Sequence, residues 1–313
     1  GQVRPHAEVP GQEEKVMSNS VPANDPHPAN VSVPASVGVL GGGRMGAGIA
    51  HAFCTSGANV VVVERDDAAA GAARDRLDKS LAKSVEKGTT AESLQDLQAR
   101  LSVSTDYGSF ASADLVVEAV PEDFDLKTEA LTKVEGLLGA DAYLATNTSS
   151  LSVNKLAGQL SHPERFCGLH FFNPVPASLL VEVVLGERTS GQLATAAGEW
   201  VEALKKTPVV VNDAPGFASS RLGVAIALEA MRMVESGVAS PEDIDAAMTL
   251  GYKHPVGPLR TTDIVGLDVR LGIAEYLEST LGDRFAPPQI LRDKVAAGHL
   301  GRKTGQGFFS WES

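Results

Sequence analysis

Two hydrophobic periods divide this chain. From Ser36 to Val211, short apolar runs of strand length recur: Ser36–Leu40, Asn59–Val63, Leu101–Thr105, Asp114–Val120, Tyr143–Asn147, Phe166–Leu169, Leu180–Val184 and Thr207–Val211. Near-continuous apolar runs are the mark of strands buried on both faces, as in a parallel sheet flanked by helices. Stretches with helical spacing fill the intervals, running to about Ser56, then Asp67–Lys87, Phe124–Leu138 and Ser190–Lys206. Strand alternating with helix predicts an α/β domain of Rossmann type. At Asn212–Phe217 the pattern breaks, with Pro215 and Gly216 side by side. Beyond that point apolar residues fall three and four apart, predicting helices over Phe217–Glu235, Pro241–Leu250, Thr262–Leu281 and Pro288–Ala297. The expected organisation is a tail over 1–33, an α/β domain over 34–214 and an all-α domain over 215–313.

The tail is set apart by composition. Pro5, Pro10, Pro22, Pro26 and Pro28 stand among polar residues without periodicity, which predicts disorder, and His6 and His27 within it carry no expected role. It lacks both the apolar centre of a secretory signal and the Arg-rich pattern of a transit peptide. The chain of 313 residues has a formal net charge of -12, which argues against a nucleic-acid surface. No apolar run approaches the roughly 20 residues of a membrane span. Cys54 and Cys167 lie in apolar surroundings without metal-binding spacing, so both are expected to be buried thiols in a reducing cytoplasm, and no metal site is expected.

Two stretches carry chemistry. Gly41-x-Gly43-x-x-Gly46 follows the first strand and opens a helix, and the second strand ends in the acid Glu64. In that context the glycines let backbone approach a pyrophosphate at the positive end of the helix, and Glu64 accepts from both ribose hydroxyls. An acid there repels a 2'-phosphate, which favours NAD over NADP, although the neighbouring Arg65 is able to receive one. The second stretch is Gly168-Leu-His-Phe-Phe-Asn-Pro-Val-Pro176, followed by Glu182 within an apolar run. Pro174 and Pro176 prevent a helix and force the chain to turn back. A carboxylate buried in the returning strand needs a partner, and His170 is the nearest, giving a His-Glu general-base pair. Singly, each residue has a structural explanation: a satisfied core histidine, a capping or ion-pairing glutamate. Ser149, at the carboxyl end of the Tyr143–Asn147 strand, is either a hydrogen-bond donor to a ligand or the cap of the following helix.

Together with Gly41-Gly-Gly-Arg-Met-Gly46, the motifs Val117-Glu-Ala-Val-Pro-Glu122, Asn147-Thr-Ser-Ser150, Gly168–Val175, Asp213-Ala-Pro-Gly-Phe217, Pro255-Val-Gly-Pro258 and Lys303-Thr-Gly-Gln-Gly-Phe308 occur in one order. The chain after residue 35 resembles the short-chain L-3-hydroxyacyl-CoA dehydrogenases. The resemblance implies NAD as cofactor, an acyl-CoA thioester as substrate, and a helical domain that pairs two copies into a homodimer. It implies that His170 takes the proton of the C3 hydroxyl, supported by Glu182, and that Ser149 bonds the reacting oxygen. It further implies cofactor contacts from Glu122, Lys127, Asn173 and Lys303, and coenzyme A contacts from Ser80 and Lys87. One position departs: Ser220 stands where the family usually carries a substrate-binding Asn, which bears on acyl specificity. 3-Hydroxybutyryl-CoA is the first substrate expected. Alternatives are 3-hydroxyadipyl-CoA, for which Arg221 and Arg260 are candidate receptors, an acyl-carrier-protein thioester, a sugar acid, or a non-catalytic, crystallin-like NAD-binding protein.

Overall fold

The structure, a computed structural model, describes residues 31–312, so the expectation for the tail lies almost wholly outside the described residues. Eight strands form one sheet: β1 (Ser36–Leu40), β2 (Asn59–Val63), β3 (Leu101–Ser104), β4 (Leu115–Glu118), β5 (Tyr143–Thr146), β6 (Phe166–Phe171), β7 (Leu180–Leu185) and β8 (Thr207–Asn212). The order across the sheet is β3-β2-β1-β4-β5-β6-β7-β8. Strands β1 to β6 are parallel, β7 turns antiparallel to β6, and β8 runs parallel to β7. Helices α1 (Arg44–Thr55), α2 (Asp67–Glu86), α3 (Leu94–Ala99), α4 (Phe124–Glu135), α5 (Val153–Ala157) and α6 (Gly191–Ala203) fill the intervals. Strand order reverses between β1 and β4, and the crevice beyond the carboxyl ends of strands at such a switch point is where open α/β sheets hold ligands.

The two faces of the sheet carry separate apolar cores. One packs Ile49 and Phe53 of α1 with Leu77, Leu81 and Trp200, and the other packs Leu131, Val134 and Leu156 with Phe110 and Phe166. The helical half is α7 (Ser219–Glu235), α8 (Pro241–Ala246), α9 (Pro258–Val265), α10 (Leu267–Leu281) and α11 (Gln289–Ala296), with its own core around Met231, Leu259, Leu267 and Leu277. The connection between the halves is pinned from the sheet side. Phe217 is buried in the second sheet core, at a backbone φ of 48° that a side chain rarely adopts.

Two helix expectations are corrected. The segment predicted as one helix over Thr262–Leu281 is two, parted at Gly266, whose φ of 111° no continuous helix allows. The segment over Pro241–Leu250 is regular only to Ala246 and widens into a π-turn over Ala247–Gly251. Helix α3, a six-residue and half-polar element capped by Ser93, is too short for its period to show in the sequence.

Candidate active site

A cleft of about 830 Å³ opens along the carboxyl ends of the parallel strands. It runs from Gly41, Gly43 and Glu64, past Glu122 and Ser149, to His170 and Asn173. The glycine loop has three distinct requirements. A Cβ on Gly46 would lie 1.7 Å from the Gly41 carbonyl oxygen, and Gly41 has a φ of +94° with the Ala119 carbonyl close by. Both glycines are therefore demanded by the chain's own packing. Gly43 is different: nothing lies within 4 Å of a Cβ placed there. It is the N-cap of α1, no side chain caps that helix, and its first turn holds no acid. The positive end of a 12-residue helix thus faces the cleft with only glycine in front of it, an arrangement that fits a pyrophosphate. Glu64 accepts from the Gly42 N–H at 2.6 Å and stands at the same end of the cleft, while Arg65 turns to Asp66 at 3.1 Å.

The middle of the cleft rests on a buried ionic chain. Glu118, at the end of β4 and fully buried, accepts from Lys127 Nζ at 2.7 Å, Thr146 Oγ1 at 2.7 Å and Val120 N at 2.7 Å. Burial pushes its carboxyl upward against the pull of that ammonium. Lys127 also donates to the Val120 carbonyl at 3.0 Å and lies 3.5 Å from Glu122. Glu122 Oε1 in turn accepts from Thr148 Oγ1 at 2.6 Å, Ser149 N at 2.9 Å and Ser150 N at 2.9 Å. Burial would raise the Glu122 carboxyl, yet these donors and the Lys127 charge hold it below the usual range. The consequence is a fixed loop that presents the exposed Ser149 side chain to the cleft. Ser149 is not the cap of α5, because Ser152 fills that position by accepting from Lys155 N at 3.2 Å.

At the far end the sheet register itself makes the His-Glu pair. β6 and β7 are antiparallel with His170 directly opposite Glu182, so both side chains stand on one face. His170 Nδ1 lies 2.9 Å from Glu182 Oε1, with both residues buried. Glu182 also accepts from Ser219 Oγ at 2.5 Å, Ala218 N at 2.9 Å and Ser219 N at 3.0 Å. Burial alone would raise its carboxyl, but the hydrogen bonds from His170, Ser219 and Ala218 outweigh it and hold the group at about 2. An ionised carboxylate only accepts, so Nδ1 carries the hydrogen and Nε2 keeps its lone pair. The imidazole is flanked by the rings of Phe172, 4.5 Å away, and Phe217, 5.6 Å away.

Several expected site residues are turned to other partners or stand outside the cleft lining. Lys127 borders the cleft but is 1% exposed, with its ammonium turned to Glu118 and Val120 rather than outward. Lys303 does not line the cleft: it donates to both carboxylate oxygens of Asp268, at 2.6 Å and 2.7 Å, in the helical half. Ser80 and Lys87 lie on and just after α2, outside the cleft lining. Ser220 is half-buried in the first turn of α7, beside Ser219, which takes the contact to Glu182. Arg260 lays its guanidinium over the rings of Phe309 and Trp311, at 4.4 Å and 5.1 Å. Sequence reasoning missed Ser219, Thr146 and Asn147, whose Oδ1 accepts from Phe171 N at 2.9 Å and ties β5 to β6. No local signal marks Ser219: it opens α7 without capping it, since Ala218 holds the N-cap position and the Ser219 hydroxyl donates to Glu182 on a distant strand.

The comparisons with known proteins agree with this layout. Residues 36–214 match the family described as 3-hydroxyacyl-CoA dehydrogenase, NAD binding domain, and residues 216–311 match 3-hydroxyacyl-CoA dehydrogenase, C-terminal domain. A probable 3-hydroxybutyryl-CoA dehydrogenase of Deinococcus radiodurans is 42% identical over 275 residues, covering 88% of this chain and 99% of the relative. The mitochondrial hydroxyacyl-coenzyme A dehydrogenase of Rattus norvegicus is 38% identical, covering 88% of this chain and 91% of its own. Among solved structures, (S)-3-hydroxybutyryl-CoA dehydrogenase PaaH1 from Ralstonia eutropha superposes with a TM-score of 0.85 at 39% identity, over 90% of this chain and 100% of that one. A strand-end cleft fitted to a dinucleotide, a helical second half and two matched domains in series lead to one statement: the chain belongs to the 3-hydroxyacyl-CoA dehydrogenase family and is an NAD-dependent oxidoreductase.

Proposed function

We propose that this chain interconverts short-chain (S)-3-hydroxyacyl-CoA and 3-ketoacyl-CoA, with 3-hydroxybutyryl-CoA as substrate, in cytoplasmic fatty-acid metabolism. The observation that carries this reading is the buried His170–Glu182 pair at the end of the dinucleotide cleft. His170 Nε2 takes the proton of the C3 hydroxyl, while the Glu182 charge offsets the imidazolium that forms. Bound NAD supplies the hydride acceptor for C3. Ser149 Oγ donates to the reacting oxygen, and Glu122 with Lys127 fixes the loop that carries it. Gly43 and the open end of α1 receive the pyrophosphate, Glu64 the adenosine ribose, and Asn173 stands where the nicotinamide end meets the acyl group. Residues 34–214 hold the cofactor and 215–313 pair two copies. Support for pairing is the apolar surface left uncovered on the helical half, with Leu250 74% and Tyr252 76% exposed. Two free thiols, both buried, suit the cytoplasm.

The glycines offer a direct check on the cofactor end. Gly46→Ala must displace the Gly41 carbonyl and is expected to prevent stable folding, whereas Gly43→Ala should fold normally and weaken NADH binding roughly tenfold by crowding the pyrophosphate. Circular dichroism and NADH titration separate the two effects. Equal NADH affinity in Gly43→Ala would remove the pyrophosphate from that position.

A second reading is favoured by Arg270. Only 8% exposed, its guanidinium has no hydrogen-bond or ion-pair partner among the described residues, and it lies beside Gly223, one turn along α7 from Ser219. Burial lowers its pKa, so an anion is wanted there. A carboxylate at the far end of a short acyl chain, as in 3-hydroxyadipyl-CoA, would supply one. NADH oxidation with acetoacetyl-CoA, 3-ketoadipyl-CoA and longer 3-ketoacyl-CoAs decides between the readings. The first predicts preference for acetoacetyl-CoA, unaffected by Arg270→Met, from a protein sedimenting as a dimer. The second predicts preference for the dicarboxylate, lost at least tenfold in that variant. No turnover of any thioester by a protein that binds NADH would overturn both.

A further inference from the structure

The eight residues Phe172–Leu179 join β6 to β7 and carry two groups of the site: Phe172 against the His170 ring and Asn173 at the cleft. Most of this connection is exposed, and few of its own backbone groups are paired within it. What holds it comes from outside. Val175 is buried against α1 where Gly48 leaves room: a Cβ there would lie 2.8 Å from the valine side chain. Thr207 N donates to the Leu179 carbonyl at 2.6 Å. Between these two anchors the Lys206 ammonium donates to the Val175 carbonyl at 2.6 Å and to the Ser178 carbonyl at 2.5 Å.

Lys206 is built for this contact in three respects. Lys205 before it adopts a φ of 58°, a left-handed turn that a residue other than glycine enters only at a cost, and that turn ends α6. Among the described residues Lys206 forms no ion pair, so its charge is spent on two carbonyls rather than on a carboxylate. The titratable group facing it is His51 of α1, whose Nε2 lies 2.8 Å from Ser84 Oγ of α2. Burial in the first place, and the Lys206 charge after it, lower the His51 pKa and keep that imidazole neutral, while burial also lowers the pKa of Lys206.

We propose that Lys206 is a positioning residue for the reaction: its ammonium clamps the 172–179 connection and so sets Phe172 against His170 and Asn173 at the cleft. This rests on the dehydrogenase reading above. The function of a clamp is geometric, since a displacement of the supporting backbone by about 1 Å costs a site of this kind on the order of 100-fold in rate.

Lys206→Cys tests it, because alkylation with 2-bromoethylamine rebuilds an ammonium of nearly the same length. Cys54 and Cys167 are buried, and unsubstituted protein treated identically controls for them. The Cys variant is expected to lose at least tenfold in kcat, with the KM for the ketoacyl-CoA and the Kd for NADH within about twofold, and to exchange the amides of Ala177 and Ser178, both bonded to the Pro174 carbonyl, faster by mass spectrometry. Aminoethylation should restore both exchange protection and most of kcat. Unchanged amide exchange in the Cys variant would overturn the clamp. So would faster exchange with unchanged kcat, or a lost kcat that the rebuilt ammonium does not bring back. Amide exchange needs no substrate, and inactivity of the unsubstituted protein on every thioester would count against the dehydrogenase reading instead.

Discussion

His170→Gln is expected to lower turnover of acetoacetyl-CoA by roughly 10³-fold while leaving the Kd for NADH within about twofold. Glutamine keeps a polar group of similar reach but has no site that takes up and returns a proton near neutral pH. The imidazole lies at the end of the cleft remote from the glycine loop, so cofactor affinity has no reason to change. Steady-state kinetics with fluorescence titration of NADH separates the two quantities. A variant that retains a tenth of the activity would show that His170 is not the base. A variant that loses NADH binding would show the residue to be structural.

Glu182→Gln is the second large effect, and it should appear in both rate and stability. Four donors converge on this carboxylate: the His170 ring, the Ser219 hydroxyl and two backbone amides. An amide has one acceptor oxygen, and its NH2 faces donors, so at least one buried donor loses its partner at a cost of about 1–3 kcal/mol. Turnover is expected to fall roughly 10²- to 10³-fold, because the imidazolium forms without a counter-charge. The pH dependence follows from the direction of the shift. The carboxyl is held at about 2 in the folded chain, against its ordinary 4.5. Its contribution is therefore complete above about 4.5 and is lost as pH falls from there toward 2, and it amounts to about 3 kcal/mol at most. Thermal melts between pH 7 and pH 3 should show the native protein losing stability faster than Glu182→Gln. Parallel curves would mean that the pair contributes nothing to folding.

What was legible in the sequence was whatever local pattern determines. Buried parallel strands read as apolar runs because both faces are covered, and the Gly41–Gly46 loop could be placed at a strand-to-helix turn because the apolar run before it and the helical spacing after it frame it. The His170–Glu182 pair was legible for a narrower reason: two prolines force a reversal, and an antiparallel return brings residues near its two ends opposite one another. Long-range arrangement was not legible. Nothing in the spacing says that Lys127 is turned to Glu118 rather than to the cleft, or that Lys303 is held by Asp268. Both lysines are set by partners whose positions depend on packing. Gly266 was missed as a helix break because a single glycine is tolerated in a helix at about 1 kcal/mol, and only its positive φ reveals the corner.

Glu182 has one further consequence, which concerns how the chain can be cut and recombined. Its carboxylate takes the two amides that open α7, so a residue of the sheet half serves as the cap of the first helix of the other half. A hybrid that exchanged helical halves at residue 214 would import a foreign first turn and with it a foreign environment for the proton-bearing pair. The portable module therefore ends after Ser219, beyond the last donor to Glu182.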